Sequence, residues 1–298
     1  MGGVHKPRNR PSPPGKSPPP MPTNQPRYIS ASRRTDIPRF FSHQFFTAWR
    51  QGAITYDGGY GRTYTVSLRE AEVLGYIFWS KDFAPFLEAP AFAELLGRAN
   101  ALFHFTINHC PELEPRVAPL AQRLATLARL CDLVGPERVL WRFDPVCRYF
   151  SPLANTVRDN LAPFFKILPT VAALGVSRCY FSFMTPYPKL QGRGIRFLPF
   201  GAAEMLALSR EMAAAAASHA ITLYNCCNPE VQSGDGAIRQ GRCVDDQLLA
   251  RTDRFGVHRP LKQKPTRPGC GCAASRDIGS YSLRCPHGCR YCYANPEG

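Results

Sequence analysis

The chain has 298 residues, 44% of them apolar and including 19 Phe, 12 Tyr and 3 Trp, enough for an ordinary globular core, which excludes a wholly disordered protein. Its net charge of +15 favours contact with phosphate, yet residues 1–35 hold no acidic residue and a second basic run contains Arg251, His258, Arg259, Lys262, Lys264 and Arg267, so much of the excess sits in a tail and a linker. No stretch of about 20 apolar residues can span a bilayer and no apolar segment precedes a cleavage site, so a cytoplasmic location with no membrane partner is expected.

In chain order, residues 1–26 (with KPRNRPSPPGKSPPPMP) read as a disordered Pro-rich basic tail, because they offer nothing to bury. Residues 27–254 alternate short β-branched or aromatic runs with stretches of helical period, the pattern of a parallel sheet with helical crossovers. The strand runs are 28–32 (YISAS), 74–80 (LGYIFWS), 102–108 (LFHFTIN), 138–143 (RVLWRF), 178–184 (RCYFSFM) and 221–225 (ITLYN). Helices are expected near 41–50, 83–99, 116–134, 155–173 and 200–219, with a hairpin insertion at 53–66. Six such units suit a partial TIM-type (β/α)6 barrel or an open doubly wound sheet. The barrel is preferred because polar or turn residues follow every strand run and would form one functional rim. Residues 255–298 form a cysteine-rich segment expected to bind metal and to dock on the barrel mouth.

The rim supplies candidate catalytic groups. Arg33, Arg34 and Asp36 follow the first strand and suit bidentate recognition of carboxylate or phosphate, or an ion pair that fixes their loop. Arg142 and Asp144 flank Phe143 with a period of two, so they share a strand face and either line the barrel or form a strand-end salt bridge. Lys81 and Asp82 stand in the same place after the second strand and are candidate cofactor contacts.

Twelve cysteines in a reducing compartment fit metal binding better than disulfides, the more so because eight of them follow residue 225. In CPHGCRYCYAN, Cys285, Cys289 and Cys292 put three thiolates on one short loop with no fourth ligand beside them. A 4Fe-4S cluster on three thiolates keeps one iron open, whereas closed structural zinc requires four ligands. The rival is a zinc knuckle completed by His287 or an upstream cysteine. Cys226, Cys243, Cys270 and Cys272 are a possible second set, either an auxiliary iron-sulfur cluster, structural zinc, or in part buried small hydrophobes. Cys110, Cys131, Cys147 and Cys179 read as core.

SASRRTDIP, FWSK, GPERVLWRFDPV and GCGCAASRDIGSY with CPHGCRYCYAN together resemble the uncharacterised family called domain of unknown function 1848, over nearly all of Tyr28 to Asn295. Its terminal cysteines look like the cluster loop of the radical S-adenosylmethionine superfamily, including the aromatic Tyr291 before the third cysteine. The resemblance implies a related barrel, a bound 4Fe-4S cluster and S-adenosylmethionine, with Tyr291 beside the cofactor. In that superfamily the loop follows the first strand, but here it ends six residues before the C-terminus; a circular permutation or an independent lid would reconcile the two. The Gly-Gly-Glu expected after the second strand is missing, and Asp57-Gly58-Gly59 reads as a turn. A shared Ser-Arg-(x-x)-Asp-Ile pattern links SASRRTDI to AASRDIGS. Two functions are therefore expected in competition. One is a radical S-adenosylmethionine-type enzyme with an external electron donor and an unknown small-molecule or nucleic-acid substrate. The other is a zinc- or iron-sulfur-stabilised nucleic-acid-binding module, with Tyr281, Tyr291 and Tyr293 placed to stack on bases.

Overall fold

The structure, a computed structural model, describes residues 25–58, 61–231, 234–280 and 282–294. Most of the Pro-rich tail, Gly59 and Tyr281 lie outside the described residues.

The chain opens with β1 (Arg27–Ala31), α1 (Ile37–Phe40), α2 (Ser42–Gln51) and the antiparallel hairpin β2 (Ala53–Asp57) and β3 (Thr63–Ser67). There follow β4 (Val73–Ser80), α3 (Ala84–Glu88), α4 (Ala91–Arg98), β5 (Ala101–Thr106), α5 (Leu120–Val134) and β6 (Val139–Val146). A second antiparallel sheet joins β7 (Arg148–Ser151), β8 (Thr156–Asp159) and, later, β10 (Arg196–Leu198). The remainder is α6 (Ala162–Ala173), β9 (Arg178–Phe183), α7 (Ala202–Ser218), β11 (Thr222–Asn225), β12 (Ile238–Gln240), α8 (Asp246–Arg251) and β13 (Arg276–Asp277).

The main sheet is parallel, with eight strands in the order β12-β11-β9-β6-β5-β4-β1-β13. All six expected strands are in it, and short β12 and β13 extend its two edges. Across it Trp79 lies opposite His104, His104 opposite Leu140, and Arg142 opposite Tyr180, so these inward side chains share one face. The outermost strands are not paired with each other, so the barrel is partial.

Strand alternation divides the core. One face sends Ile29, Phe78, Phe103, Trp141, Phe143 and Phe181 against the helices, where Trp141 stacks on Phe164 at 5.2 Å and α5 contributes Leu127, Leu130, Cys131 and Val134 at helical spacing. Each such side chain, once removed from water, contributes roughly 1.5–3 kcal/mol. On the other face the first inward position of each strand is apolar (Tyr28, Leu74, Leu102, Leu140, Tyr180, Tyr224), and α8 with the 261–273 segment packs over this end through Leu248, Leu249, Leu261 and Cys272. Toward the strands' C-terminal ends the inward side chains become polar: Ser30, Ser32, His104, Arg142, Asp144 and Ser182. That gradient plugs one end of the half-barrel and leaves the other suited to polar ligands.

Several expected helices shift for local reasons. The expected 83–99 helix is two helices because Pro90 lacks an amide hydrogen, and Ala89 before it is extended. The expected 116–134 helix begins only after Pro119. In the expected 155–173 helix, Thr156–Asp159 is instead an exposed edge strand, and α6 begins at Ala162 with Pro163 in its first turn, where its missing amide costs nothing. Among the described residues no helix is long and apolar enough to cross a membrane.

Candidate functional site

The cysteine-bearing loop is attached to the sheet itself. β13 pairs in parallel with β1, Ile29 opposite Arg276 and Ser30 opposite Asp277, which sets Asp277 of the second Ser-Arg-Asp-Ile stretch beside Ser32 and Arg33 of the first. The Asp277 carboxylate accepts from Ser30 Oγ (2.9 Å), Ser32 Oγ (3.3 Å), Arg33 N (3.0 Å) and Gly279 N (2.9 Å). Arg34 Nε lies 4.0 Å from it and Arg34 Nη1 donates to Gly279 O at 3.0 Å. The hairpin clamps the same segment: Tyr56 Oη donates to Asp277 O, and Ser280 Oγ donates to Asp57 O, each at 2.9 Å. Replacing Asp277 with Ala is expected to cost about 2 kcal/mol, since it strands several buried donors. It is also expected to speed tryptic cleavage at Arg284, measured beside denaturant unfolding; an unchanged cleavage rate would contradict this anchoring role.

After β13 the loop crosses the C-terminal ends of β1, β4 and β5. His287 Nε2 meets Asp36 Oδ2 at 2.9 Å, and the same oxygen accepts Lys81 N at 2.8 Å. Arg290 N donates to Leu113 O at 2.9 Å, and Arg193 Nη1 reaches the carbonyls of Cys289 (3.5 Å), Arg290 (3.4 Å) and Cys292 (2.7 Å). Gly288 has φ +62, and a Cβ there would come within 2.6 Å of Arg116 Nη2, so the turn between Cys285 and Cys289 requires glycine.

Tyr291 enters a buried polar knot. Its hydroxyl bonds to the Glu114 carboxylate and meets Lys81 Nζ at 2.7 Å, while Lys81 Nζ pairs with Glu114 Oε1 at 2.6 Å. Burial alone would push Glu114 up and Lys81 down, but their mutual attraction outweighs it, helped for Glu114 by Arg123: Glu114 is held below the usual carboxylate range and Lys81 above the usual amine range. The thiols, by contrast, are shifted toward their neutral form. Burial raises Cys289 despite nearby Lys81, and burial with neighbouring Asp36 pushes Cys285 up to about 12.

Below the loop, the inward faces of the strands carry a connected polar wall. Tyr293 Oη donates to Arg33 O at 3.0 Å, and the Arg33 guanidinium lies 5.4 Å from the Trp79 ring, with its buried Nη2 unpartnered. Trp79 stacks on His104 at 5.0 Å. His104 Nε2 lies 2.8 Å from Cys243 O, which can only accept, so the proton sits on Nε2 and the buried Nδ1 is a free acceptor. Burial and then Arg142 lower this imidazole's pKa to about 3, so it is neutral. Arg142 Nη2 pairs with Asp144 Oδ2 at 2.6 Å, and Ser182 Oγ donates to the other Asp144 oxygen.

The expected residues thus divide. Arg33, Arg142 and Asp144 share the wall beneath the loop, and Asp36 and Lys81 are spent on holding the loop. Arg34 serves Asp277. Asp82 turns outward, pairing with Arg39 Nε at 3.2 Å and capping Ala84 N at 3.0 Å. Tyr291 faces Glu114 rather than the wall, and Asp57-Gly58 closes the hairpin, where Gly58 N donates to Arg62 O. Cys226, Cys243 and Cys272 meet on the inner face with Cys270 beside them, apart from the triplet. Glu114, Arg193, Asp277, His104 and Trp79 are additional site residues. Asp277 carried a sequence signal through the echo and Trp79 through FWSK, whereas Glu114, Arg193 and His104 carried none.

Cys285, Cys289 and Cys292 form a donor set carried on one loop; among the described residues no three His, Cys, Asp or Glu side chains are closed into a cage around one point. The donor chemistry nevertheless fits a three-thiolate cluster. The sulfurs have Lys81 and Arg193 beside them to balance thiolate charge, and Leu113, Cys147 and Tyr149 form an apolar surround. His287, the alternative zinc ligand, gives Nε2 to Asp36 and keeps a buried, unpartnered Nδ1, so its ring remains able to ligate. A cleft of about 470 Å³ lined by Trp49, Arg69, Tyr76 and Arg98 contains none of these groups.

Fold and site together define an α/β partial barrel with a cysteine loop and a polar wall at its mouth. The chain belongs to the family described as Domain of unknown function (DUF1848), which it matches over residues 28–294. No curated protein matches it. Among solved structures it is similar to Streptococcus suis SuiB bound to S-adenosylmethionine, at 9% identity and a TM-score of 0.33, with 78% of this chain and 47% of that one covered. It is also similar to SuiB bound to precursor peptide SuiA, at 9% identity and 0.33, covering 76% and 45%. The chain spans about half the length of those structures.

Proposed function

We propose that the protein is an iron-sulfur enzyme of radical S-adenosylmethionine type, with Cys285, Cys289 and Cys292 as cluster ligands. The observation that carries this reading is topological. Counted across the sheet from the β13 edge, the loop follows the first strand, the place it has in the superfamily it resembles, although it comes last in the chain. A circular permutation would account for this, and the loop's continuation from a strand of the sheet supports that reading over an independent lid. A cluster held by three thiolates leaves one iron open and, in that superfamily, supplies the electron that cleaves the S-adenosylmethionine sulfonium.

This chain's residues would do the rest. Lys81 and Arg193 offset thiolate charge, Asp36 and Tyr291 hold the loop, and Arg33, with Nη2 unpartnered, would meet a carboxylate or phosphate of the bound molecules. Asp144, held by Arg142 and Ser182, would orient polar hydrogens at the wall. Anaerobic reconstitution with iron and sulfide is expected to give a brown protein that, with dithionite and S-adenosylmethionine, releases 5′-deoxyadenosine. A loaded cluster that yields none would refute the radical chemistry, and zinc in place of iron and labile sulfide would refute the cluster.

A further inference from the structure

We propose that Cys226, Cys243, Cys270 and Cys272 bind a second metal, a single tetrahedral zinc ion, on the inner face of the half-barrel. The four residues come from distant parts of the chain, after β11, before α8 and before β13, yet their sulfurs are consecutive neighbours. Cys226 Sγ and Cys243 Sγ lie 3.6 Å apart, Cys272 adjoins Cys243 and Cys270 adjoins Cys272, a chain of neighbours that, among the described residues, does not yet surround one point. A tetrahedron of thiolates on 2.3 Å zinc–sulfur bonds has edges of about 3.8 Å, close to the separation of the first pair. A four-iron cluster interposes its own atoms and spreads its thiolates further, so the separation of Cys226 and Cys243 favours one ion.

The surroundings are built for close approach and for negative charge. A Cβ at Gly241 would lie 2.7 Å from Cys226 Sγ, and one at Gly269 would lie 3.3 Å from Cys227 Cα, where the chain itself takes φ +65. Gly269 and Gly271 flank Cys270, the sulfur that must turn to close the set, and glycine is the residue that permits such a turn. Four thiolates around a divalent ion carry a net charge of two minus. Arg142 Nη1 stands 3.1 Å from Cys243 Sγ to offset it, and His104 holds the Cys243 carbonyl. Cys227 lies near Cys270 and Cys243, but its thiol is engaged by Arg267. Cysteines buried only for packing need neither a guanidinium nor each other: Cys131 is buried without either. Zinc here would tie the segments after β11 and before β13 together beside His104 and Arg142, and so fix the strand from which the first cysteine loop departs.

The test uses the full chain with Cys285, Cys289 and Cys292 all replaced by Ala, so that failure of this site and failure of the triplet are read separately. After gel filtration in EDTA, this variant is expected to hold about one zinc per chain. Cobalt exchanged for zinc is expected to show the strong visible bands of tetrahedral thiolate coordination. Adding Cys243→Ser should abolish that zinc, while adding Cys131→Ser should retain it. If Cys243→Ser fails to fold, titrating the folded triple variant with a mercurial decides: zinc should leave in step with thiol modification. A triple variant free of zinc, one holding iron and labile sulfide instead, or a Cys226–Cys243 disulfide found by mass spectrometry under anaerobic purification would each overturn the proposal.

Discussion

Replacing Lys81 with Met is expected to destabilise the metal-free protein by about 3 kcal/mol, because it leaves the Glu114 carboxylate buried with only Arg123 and the Tyr291 hydroxyl to compensate it. The double change Lys81→Met with Glu114→Gln should recover at least about 1 kcal/mol of that loss, since no unpaired charge then remains. The pH window follows from the two shifts. Glu114 is depressed, so its contribution is present above the unfolded value of about 4.3 and is lost as pH falls through the lower folded value. Lys81 is raised, so its contribution is present below about 10.4 and is lost as pH rises through the higher folded value. The difference between wild type and Lys81→Met, taken from urea midpoints, should therefore be flat across neutral pH and shrink in acid. A single-variant cost below about 0.5 kcal/mol would mean that the knot is solvated and does not anchor the loop.

Cys289→Ala is expected to remove iron and labile sulfide from the reconstituted triplet site and to abolish 5′-deoxyadenosine release. Cys289 is the buried middle thiol, and two remaining thiolates do not hold a four-iron cluster. The proper comparison is Cys131→Ala, which removes a buried cysteine from α5 and costs packing alone. Iron content, absorbance near the cluster's charge-transfer band and product release should separate the two variants. Equal losses in both would attribute the effect to folding and not to ligation.

The strands were legible because their side chains alternate and their lengths suit a buried sheet. The helix boundaries that moved did so at Pro90, Pro119 and Pro163, whose missing amides reposition helix ends without changing which face is apolar. The cysteine triplet was equally legible, since ligands on one loop are close in sequence and in space. The site around it was not. Glu114 and Arg193 carry no local pattern, and they matter only because the loop lands on them. Conversely, Asp82 has the right position in sequence but faces the helices, because successive strand-end residues point opposite ways.

By itself, then, the sequence determined the parallel α/β class, the three adjacent thiols and the polar character of the strand ends, all of which depend on spacing within a few residues. Only the tertiary structure decided that β13 joins the sheet beside β1, so that a loop at the end of the chain occupies the place after the sheet's first strand. It alone also brought Cys226, Cys243 and Cys272 together with Arg142. Both depend on contacts across long separations, which the covering of one apolar sheet face by a distant segment creates and local periodicity does not record.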